Sequence, residues 1–190
     1  MDFFMTKVLL LLADGFEEIE ALGTADILRR MGIAVVTASL KNETAIGSHQ
    51  IRVFADNVLD EADTSDFDAV VLPGGMPGAL NLYNDERVLK LLKDFAAQGK
   101  ITAAICAAPM VLDKAGLLEN GRFTMYPAVD LYKYLSNGKL PQADRVVADG
   151  KVITGKGPGV TAEFAAAIAA GLNTPSDTIK DVLAGMFVNA

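Results

Sequence analysis

The sequence contains no tryptophan, one histidine and one cysteine. A lone cysteine cannot form an intramolecular disulfide, so a disulfide-stabilised domain is excluded. One cysteine and one histidine, far apart in the chain, also make a poor transition-metal site, and the carboxylates show no recognisable ligand spacing. We therefore predict no bound metal, and Cys106 is either a filler of the core or a reactive thiol.

Long apolar stretches and basic clusters are also absent. The apolar run Val8–Ala13 is far shorter than the roughly 20 residues of a membrane-spanning helix. Asp2 and Asp14 flank this run and argue against a signal peptide, so we expect a cytoplasmic protein with no membrane partner. A net charge of -7, without basic residues interleaved with aromatics, argues against a nucleic-acid partner.

What is present is the composition of a globular protein. Of 190 residues, 51% are hydrophobic and 22% are charged, which suits one ordinary domain with a hydrophobic core. We predict a single domain over residues 1–190. Residues 1–4 precede Met5, a natural start, and we assign them no role.

The order of apolar segments predicts an α/β fold. Short runs rich in Val, Ile and Leu alternate with longer segments of helical periodicity, which is typical of βαβ units on a parallel sheet. The predicted strands are Lys7–Ala13, Ala34–Ser39, Ile51–Ala55, Ala69–Leu72, Ile101–Ile105 and a hairpin of Val146–Asp149 with Val152–Gly155. The predicted helices run from the turn at Asp14 and Gly15 to Gly32, over Glu86–Ala97, from Cys106 towards Ala115, and over Thr161–Gly171 and Ser176–Ala184.

The first helix carries several carboxylates near its start. Glu17 and Glu18 are expected to be solvated, whereas Glu20 stands on the apolar side of the helix, where a carboxylate is unusual. The residues expected to face the core are Ile19, Leu22, Ile27, Leu28 and Met31.

Cys106 lies where a strand passes without a spacer into a helix. In open α/β sheets, ligands bind beyond the carboxyl ends of the strands. A nucleophile on so tight a turn is exposed above the sheet, and the following helix N-terminus favours a thiolate. We therefore expect a reactive Cys106 with strained backbone dihedral angles.

Two backbone donors are expected beside this thiol. The turn places the N–H of Ala107 to face an oxyanion, and the Gly74-Gly75 pair after another strand can supply a second donor. Taken alone, Pro73-Gly74-Gly75 would be a plain turn. Two donors beside a thiol indicate an acyl or aldehyde site.

Four motifs in order give the chain a family resemblance. It resembles the ThiJ/PfpI superfamily, and within it the branch of the parkinsonism-associated protein deglycase and its bacterial relatives. The resemblance implies a flavodoxin-like three-layer sandwich with a mostly parallel central sheet, and a homodimer. The motifs are Gly15-Phe16-Glu17-Glu18-Ile19-Glu20, Val71-Leu72-Pro73-Gly74-Gly75, Ala104-Ile105-Cys106-Ala107-Ala108-Pro109, and Gly157-Pro158-Gly159 with Glu163-Phe164.

The resemblance also implies roles for particular residues. Cys106 matches the nucleophile and Glu20 its partner, while Gly75 and Ala107 match the oxyanion donors. Arg30 matches an arginine near the dimer contact of relatives. We expect that contact to include the first helix around Glu17, Asp26 and Arg30.

One departure from the family bears on activity. Peptidase-type relatives need a histidine beside the cysteine, and the human deglycase has a histidine where this chain has Tyr126. The only histidine, His49, lies in a loop that by resemblance is near the dimer contact. It either approaches the partner's cleft or is an exposed loop residue. Amide hydrolysis is therefore not expected, and Tyr126 and His49 are accessory candidates only.

The pair of Cys106 and Glu20 therefore has to carry the chemistry. A neutral Glu20 that donates a hydrogen bond to a Cys106 thiolate is the expected arrangement. We expect a cofactor-free enzyme that converts small 2-oxoaldehydes such as methylglyoxal, or glycated thiols and amines, in a shallow pocket. The alternative is an oxidative-stress sensor or redox-regulated chaperone in which Cys106 is oxidised to a sulfinate.

Overall fold

Nine strands are present in the described residues, 6–136 and 140–188, of a computed structural model. Residues 1–4, to which the sequence assigns no role, lie outside the described residues. The strands are β1 (Lys7–Leu12), β2 (Ala34–Ser39), β3 (Thr44–Ile46), β4 (Arg52–Phe54), β5 (Asn57–Val58), β6 (Ala69–Leu72), β7 (Ile101–Ile105), β8 (Val146–Asp149) and β9 (Val152–Gly155).

Seven of these strands form the central sheet, in the order β5-β2-β1-β6-β7-β9-β8. Every neighbouring pair is parallel except the hairpin of β8 and β9, so the predicted mostly parallel sheet is confirmed. Strand β1 lies between β2 and β6, and the leucine side chains Leu9–Leu12 are fully buried. An unbroken apolar run is what a strand covered on both faces requires.

Helices cover both faces of the sheet. They are α1 (Glu18–Arg30), α2 (Gly78–Tyr83), α3 (Glu86–Ala97), α4 (Pro109–Lys114), α5 (Val129–Tyr132), α6 (Thr161–Gly171) and α7 (Ser176–Gly185). Successive β1 side chains enter two separate apolar clusters: Leu9 and Leu11 join the cluster under α2, α3 and α4, and Leu10 joins that under α1 and α6. The predicted three-layer, flavodoxin-like fold is thus confirmed. Within the described part of the chain, none of the helices is long and apolar enough to cross a bilayer.

The outward face of α1 differs from the prediction. Ile19 is 60% exposed and Leu22 is 37% exposed, although both were expected to face the core. Ile27, Leu28 and Met31 are buried as predicted, and the rest of the buried face includes the smaller residues Ala21 and Ala25. Two large apolar side chains are therefore left on the surface.

The region of the predicted strand Ile51–Ala55 is also different. Its central part, β4, does not enter the main sheet but pairs with β3 in a separate antiparallel hairpin. The sequence did not predict β3, β5, α2 or α5, each of which is too short for its periodicity to be recognised.

Candidate active site

Cys106 lies at the carboxyl end of β7 in a strained backbone conformation. Its φ is 62°, in the left-handed region that residues other than glycine rarely adopt. The Cys106 N–H donates to the carbonyl of Gly155 at 2.9 Å, and the Cys106 carbonyl accepts from the Tyr126 N–H at 2.8 Å. The surrounding structure thus holds the strain in place, and the predicted unusual dihedral angle is confirmed.

Two backbone N–H groups point at the sulfur, those of Gly75 and Ala107. Gly75 has a φ of 84°, and a Cβ atom there would lie 2.4 Å from the Glu17 nitrogen, so only glycine fits. The structure therefore brings both sequence-predicted donors to the thiol. Such a pair can stabilise negative charge on sulfur or on a substrate oxygen bound beside it.

Glu20 reaches the same place from the first turn of α1. Its side chain is 1% exposed, and Oε2 accepts a hydrogen bond from the Gly74 N–H at 2.8 Å. Oε1 is buried without an N–H or O–H donor in the described residues. A Cβ atom on Gly74 would lie 2.6 Å from Cys106 Cβ and 2.8 Å from Glu20 Oε2, so the glycine leaves room for carboxyl and thiol to meet.

Burial governs the protonation of this pair. It raises the pKa of Glu20 to about 7, although the interactions with the Gly74 N–H and the Cys106 thiol act to lower that pKa. Burial likewise raises the pKa of the Cys106 thiol, and the charge of an ionised Glu20 raises it further. The N–H groups of Gly75 and Ala107 oppose that shift.

The expected lowering of the thiol pKa by the following helix is therefore not found. Helix α4 has only six residues and begins at Pro109, whereas the sulfur is largely enclosed. Since ionised Glu20 disfavours a thiolate, the thiolate is accessible mainly when Glu20 holds the proton. Fully protonated, the pair holds two protons. After the first has left, the remaining proton is shared between Glu20 and Cys106, so the two residues titrate as a unit.

A cavity of about 520 Å³ opens beside the sulfur. We call α5 and the turn after it the outer wall of the cavity; the remaining lining comes from the loop after β6, from Cys106 and Ala107, from Tyr126 and Pro158, and from Glu17 directly before α1. The described lining residues are Glu17, Gly75, Met76, Cys106, Ala107, Tyr126, Ala128, Asp130, Leu131, Lys133, Tyr134 and Pro158.

The two accessory candidates lie in different places. Tyr126 lines the cavity and is 46% exposed. His49 is not among the lining residues; its Nδ1 atom lies 2.9 Å from Glu18 Oε2 on the same chain. The structure thus brings Tyr126 to the thiol, whereas His49 belongs to a neighbouring cluster.

Glu18 is buried, although the sequence suggested a solvated residue. It is 4% exposed and accepts hydrogen bonds from the backbone N–H groups of His49, at 2.7 Å, and Ile51, at 3.4 Å. Burial alone would raise the pKa of Glu18, but these bonds and the His49 side chain hold it at about 2. Glu18 therefore anchors the loop before β4.

Potential metal ligands also meet in this cluster. Ligand atoms of Glu17, Glu18 and His49 lie within 4.8 Å of one another, a proximity that the sequence spacing did not reveal. His49 and Glu18 already pair with each other, which raises the pKa of the imidazole. We assign no metal to these groups.

The wall of the cavity is the part of the site that sequence reasoning missed. Leu131, Lys133 and Tyr134 come from α5 and its following turn, where the chain has no clear helical period. The one hint was an unusual density of tyrosines, at positions 126, 132 and 134. They follow the strand-to-helix turn at Cys106, which we call the elbow.

Comparison with known proteins adds the family context. Residues 6–171 match the DJ-1/PfpI family. The DJ-1 homolog B of Arabidopsis thaliana is 38% identical over 164 residues, which cover 85% of this chain but only 37% of that protein. A Pyrococcus abyssi protein named as a deglycase is 34% identical over 155 residues, covering 80% of this chain and 91% of that protein.

A solved structure shows the same fold. The crystal structure of DJ-1beta from Drosophila melanogaster superposes with a TM-score of 0.88 at 36% identity, covering 98% of this chain and all of that chain.

Proposed function

The chain belongs to the DJ-1/PfpI family, and we propose that it converts small 2-oxoaldehydes to 2-hydroxy acids. The proposed reaction depends on Cys106 and needs neither a cofactor nor glutathione. The observation that carries the proposal is the meeting of a strained thiol, a buried carboxyl group of raised pKa and two backbone donors at one cavity.

The first step joins substrate and enzyme. In the reactive form Glu20 holds the shared proton and Cys106 is a thiolate. The sulfur attacks the aldehyde carbon, C1, and the Glu20 proton passes to the aldehyde oxygen, which gives a hemithioacetal and leaves Glu20 ionised. The N–H groups of Gly75 and Ala107 stabilise the oxygen as its charge develops.

The second step is the internal rearrangement. The Glu20 carboxylate removes the hydrogen on C1 as a proton, which gives an enediolate. The hydroxyl proton passes from the C1 oxygen to the C2 oxygen, and Glu20 returns its own proton to C2. The product is a thioester of the 2-hydroxy acid on Cys106, and Glu20 is again ionised.

Hydrolysis closes the cycle. Glu20 takes a proton from water, the hydroxide adds to the thioester carbon, and the C–S bond breaks to release the 2-hydroxy acid. Cys106 returns as a thiolate and Glu20 as a neutral acid. One aldehyde and one water have given one hydroxy acid, with no change of enzyme state.

The proposed reaction would also act indirectly on glycated thiols and amines. Their adducts with 2-oxoaldehydes release the aldehyde reversibly, and its conversion would restore the free thiol or amine. The similarity to the archaeal protein named as a deglycase supports this extension.

The test is the release of 2-hydroxy acid from methylglyoxal without glutathione. We expect turnover by the wild type and none above background by Cys106→Ser, because a serine hydroxyl lacks the nucleophilicity of a thiolate. Equal rates in the two proteins would refute the proposal.

A second candidate function, redox sensing, rests on the donors around the sulfur. The N–H groups of Gly75 and Ala107 that bond to the thiol can also bond to the oxygens of a sulfinate. Oxidation would then stop the aldehyde reaction, because a sulfinate cannot form the thioester intermediate.

We also propose that the chain forms a homodimer through α1 and the β3–β4 hairpin. Four large apolar side chains are exposed there: Ile19, Leu22, Ile51 and Phe54, the last 78% exposed. The hydrogen bond from the Ile51 N–H to Glu18 joins the hairpin to α1, so these side chains stand on adjoining elements, where exposed apolar groups favour an interaction surface. Arg30, paired with Asp26 at 2.8 Å, lies on the same helix.

A further inference from the structure

The cavity beside Cys106 is larger than its proposed minimal substrate requires. We expected a shallow pocket, since methylglyoxal has only three carbons. The observed 520 Å³ lies within the range of about 300–1,000 Å³ that is typical of sites for much larger ligands. The space beyond the sulfur is therefore available to a further part of a substrate.

The surface around this space is mainly apolar. Met76, Leu131 and Pro158 contribute aliphatic groups, and Tyr126 and Tyr134 contribute aromatic rings. Burial of such side chains against an apolar group stabilises a complex, whereas a polar group gains little binding free energy from them.

The charges at the cavity disfavour an anionic group. Glu17 and Asp130 are acidic, and Lys133 is the only basic residue among the described lining residues. The Lys133 ammonium also lies 5.2 Å from the centre of the Tyr134 ring, where it has a cation–π partner. A neutral group therefore suits this cavity better than a phosphate or carboxylate.

The outer wall of the cavity is anchored. Asp113, on the helix that follows the elbow, is 5% exposed, and its Oδ2 accepts hydrogen bonds from Ser136 N at 2.6 Å and Ser136 Oγ at 2.7 Å. Tyr134, within the wall, packs edge-on against Tyr83 with ring centres 5.5 Å apart. These contacts fix the wall at a set distance from the thiol, so the cavity is a built feature of the fold.

We propose that the preferred substrates are 2-oxoaldehydes that carry a neutral apolar arm, aryl or branched alkyl, which fills this cavity while C1 lies at Cys106. This inference rests on the proposed function and names its substrate class. Tyr134 and Leu131 are the residues of the wall that contact the arm.

The first experiment compares phenylglyoxal with methylglyoxal as substrates. Burial of the ring predicts a kcat/KM for phenylglyoxal at least about tenfold higher, in line with the discrimination that apolar pockets achieve. In Tyr134→Ala this ratio should fall by severalfold. The matched control, Tyr132→Ala, removes a neighbouring tyrosine that is not among the lining residues and should leave the ratio unchanged. A wild-type ratio of one or less would overturn the inference.

The second experiment does not depend on turnover. Iodoacetamide and N-benzyliodoacetamide carry the same reactive carbon and differ only in the benzyl arm. We take the alkylation rate of Cys106 by N-benzyliodoacetamide over that by iodoacetamide, and divide this ratio by the same ratio for free cysteine. The normalised ratio reports the effect of the benzyl arm alone. We expect a normalised ratio well above one that falls in Tyr134→Ala but not in Tyr132→Ala. A ratio of one or less would contradict an apolar-arm site.

The two experiments separate this inference from the proposed function. A benzyl preference without turnover of either aldehyde would refute the proposed function and support the apolar-arm site. Turnover of both aldehydes without any aryl or benzyl preference would support the proposed function and overturn the substrate class.

Discussion

The carboxyl group of Glu20 and the thiol of Cys106 lie side by side at Gly74, and the negative charge of the carboxylate raises the pKa of that thiol. Gly74 lies against both side chains and leaves them room to approach, because any Cβ atom there would overlap with them. The protonation of one group therefore depends on that of the other, and neither residue has an independent role in the chemistry.

Glu20 should reduce the stability of the folded protein at alkaline pH. Its folded-state pKa of about 7 exceeds the ordinary 4.5, so stability is lost as the pH rises from 4.5 through 7. The linkage relation converts this difference into about 3 kcal/mol. Urea unfolding should show Glu20→Gln gaining roughly that amount relative to wild type between pH 4.5 and 8. A pH-independent difference would show that Glu20 is not held protonated by the fold.

Glu18 should show the opposite pH dependence. Its pKa is lowered from 4.5 to about 2, so it contributes stability above pH 4.5 that is lost as the pH falls towards 2. Glu18→Gln should cost up to about 3 kcal/mol in urea unfolding at pH 7, and about half of that or less at pH 3. As control, Glu163→Gln breaks an exposed ion pair with Arg145 and should cost under about 1 kcal/mol at pH 7. Equal costs for the two variants at pH 7 would argue against the anchoring role of Glu18.

The elbow was predictable because its chemistry is local. An apolar strand, Ile101–Ile105, joins a helix without a spacer, and this junction alone places Cys106 at the end of the sheet. The turn itself indicated Ala107 and the Gly74-Gly75 pair as donors. The family resemblance then assigned Glu20 as the partner of Cys106 and Gly75 as the second donor, and the structure places both N–H groups at the sulfur.

The parts that were not predicted depend on contacts distant in sequence. Glu18 is buried because the loop that contains His49 folds over it, and nothing near Glu18 in the chain reveals this. The cavity wall is held by the hydrogen bonds from Ser136 to Asp113, which join the chain after α5, a helix too short to show a period, to α4. Ile19 is exposed because the buried face of α1 contains its two neighbours, Glu18 and Glu20, whose partners lie in distant loops.

Mild peroxide should oxidise Cys106 before the methionines. We expect the addition of two oxygens to the thiol above about pH 7, because the pair that has lost one proton gives access to a thiolate and the Gly75 and Ala107 donors can hold the product oxygens. Peptide mass spectrometry resolves the order, and Met76, 43% exposed beside the same cavity, is the internal control. Sulfoxide at Met76 while Cys106 is still alkylatable would count against a redox-sensing role.

The proposed dimer should depend on the exposed apolar cluster. Light scattering at micromolar concentration should give a dimer for the wild type and a shift towards monomer for Phe54→Ser, because a large apolar group is lost from the contact. Val129→Ser, which changes an 81% exposed apolar residue on α5, is the control and should remain dimeric. A monomeric wild type would remove the proposed interface and any role for His49 across it.

The pH dependence of kcat/KM for methylglyoxal, in wild type and Glu20→Gln, tests the shared proton most directly. Only the pair with a single proton contains a thiolate beside a neutral acid, so the wild-type value should rise as the pH passes through about 7, where the first proton leaves. Glu20→Gln cannot relay a proton, and its kcat/KM should be lower by about 10²–10⁴-fold, with no rise near pH 7. A Glu20→Gln variant that keeps the wild-type rate and the same pH profile would contradict the account.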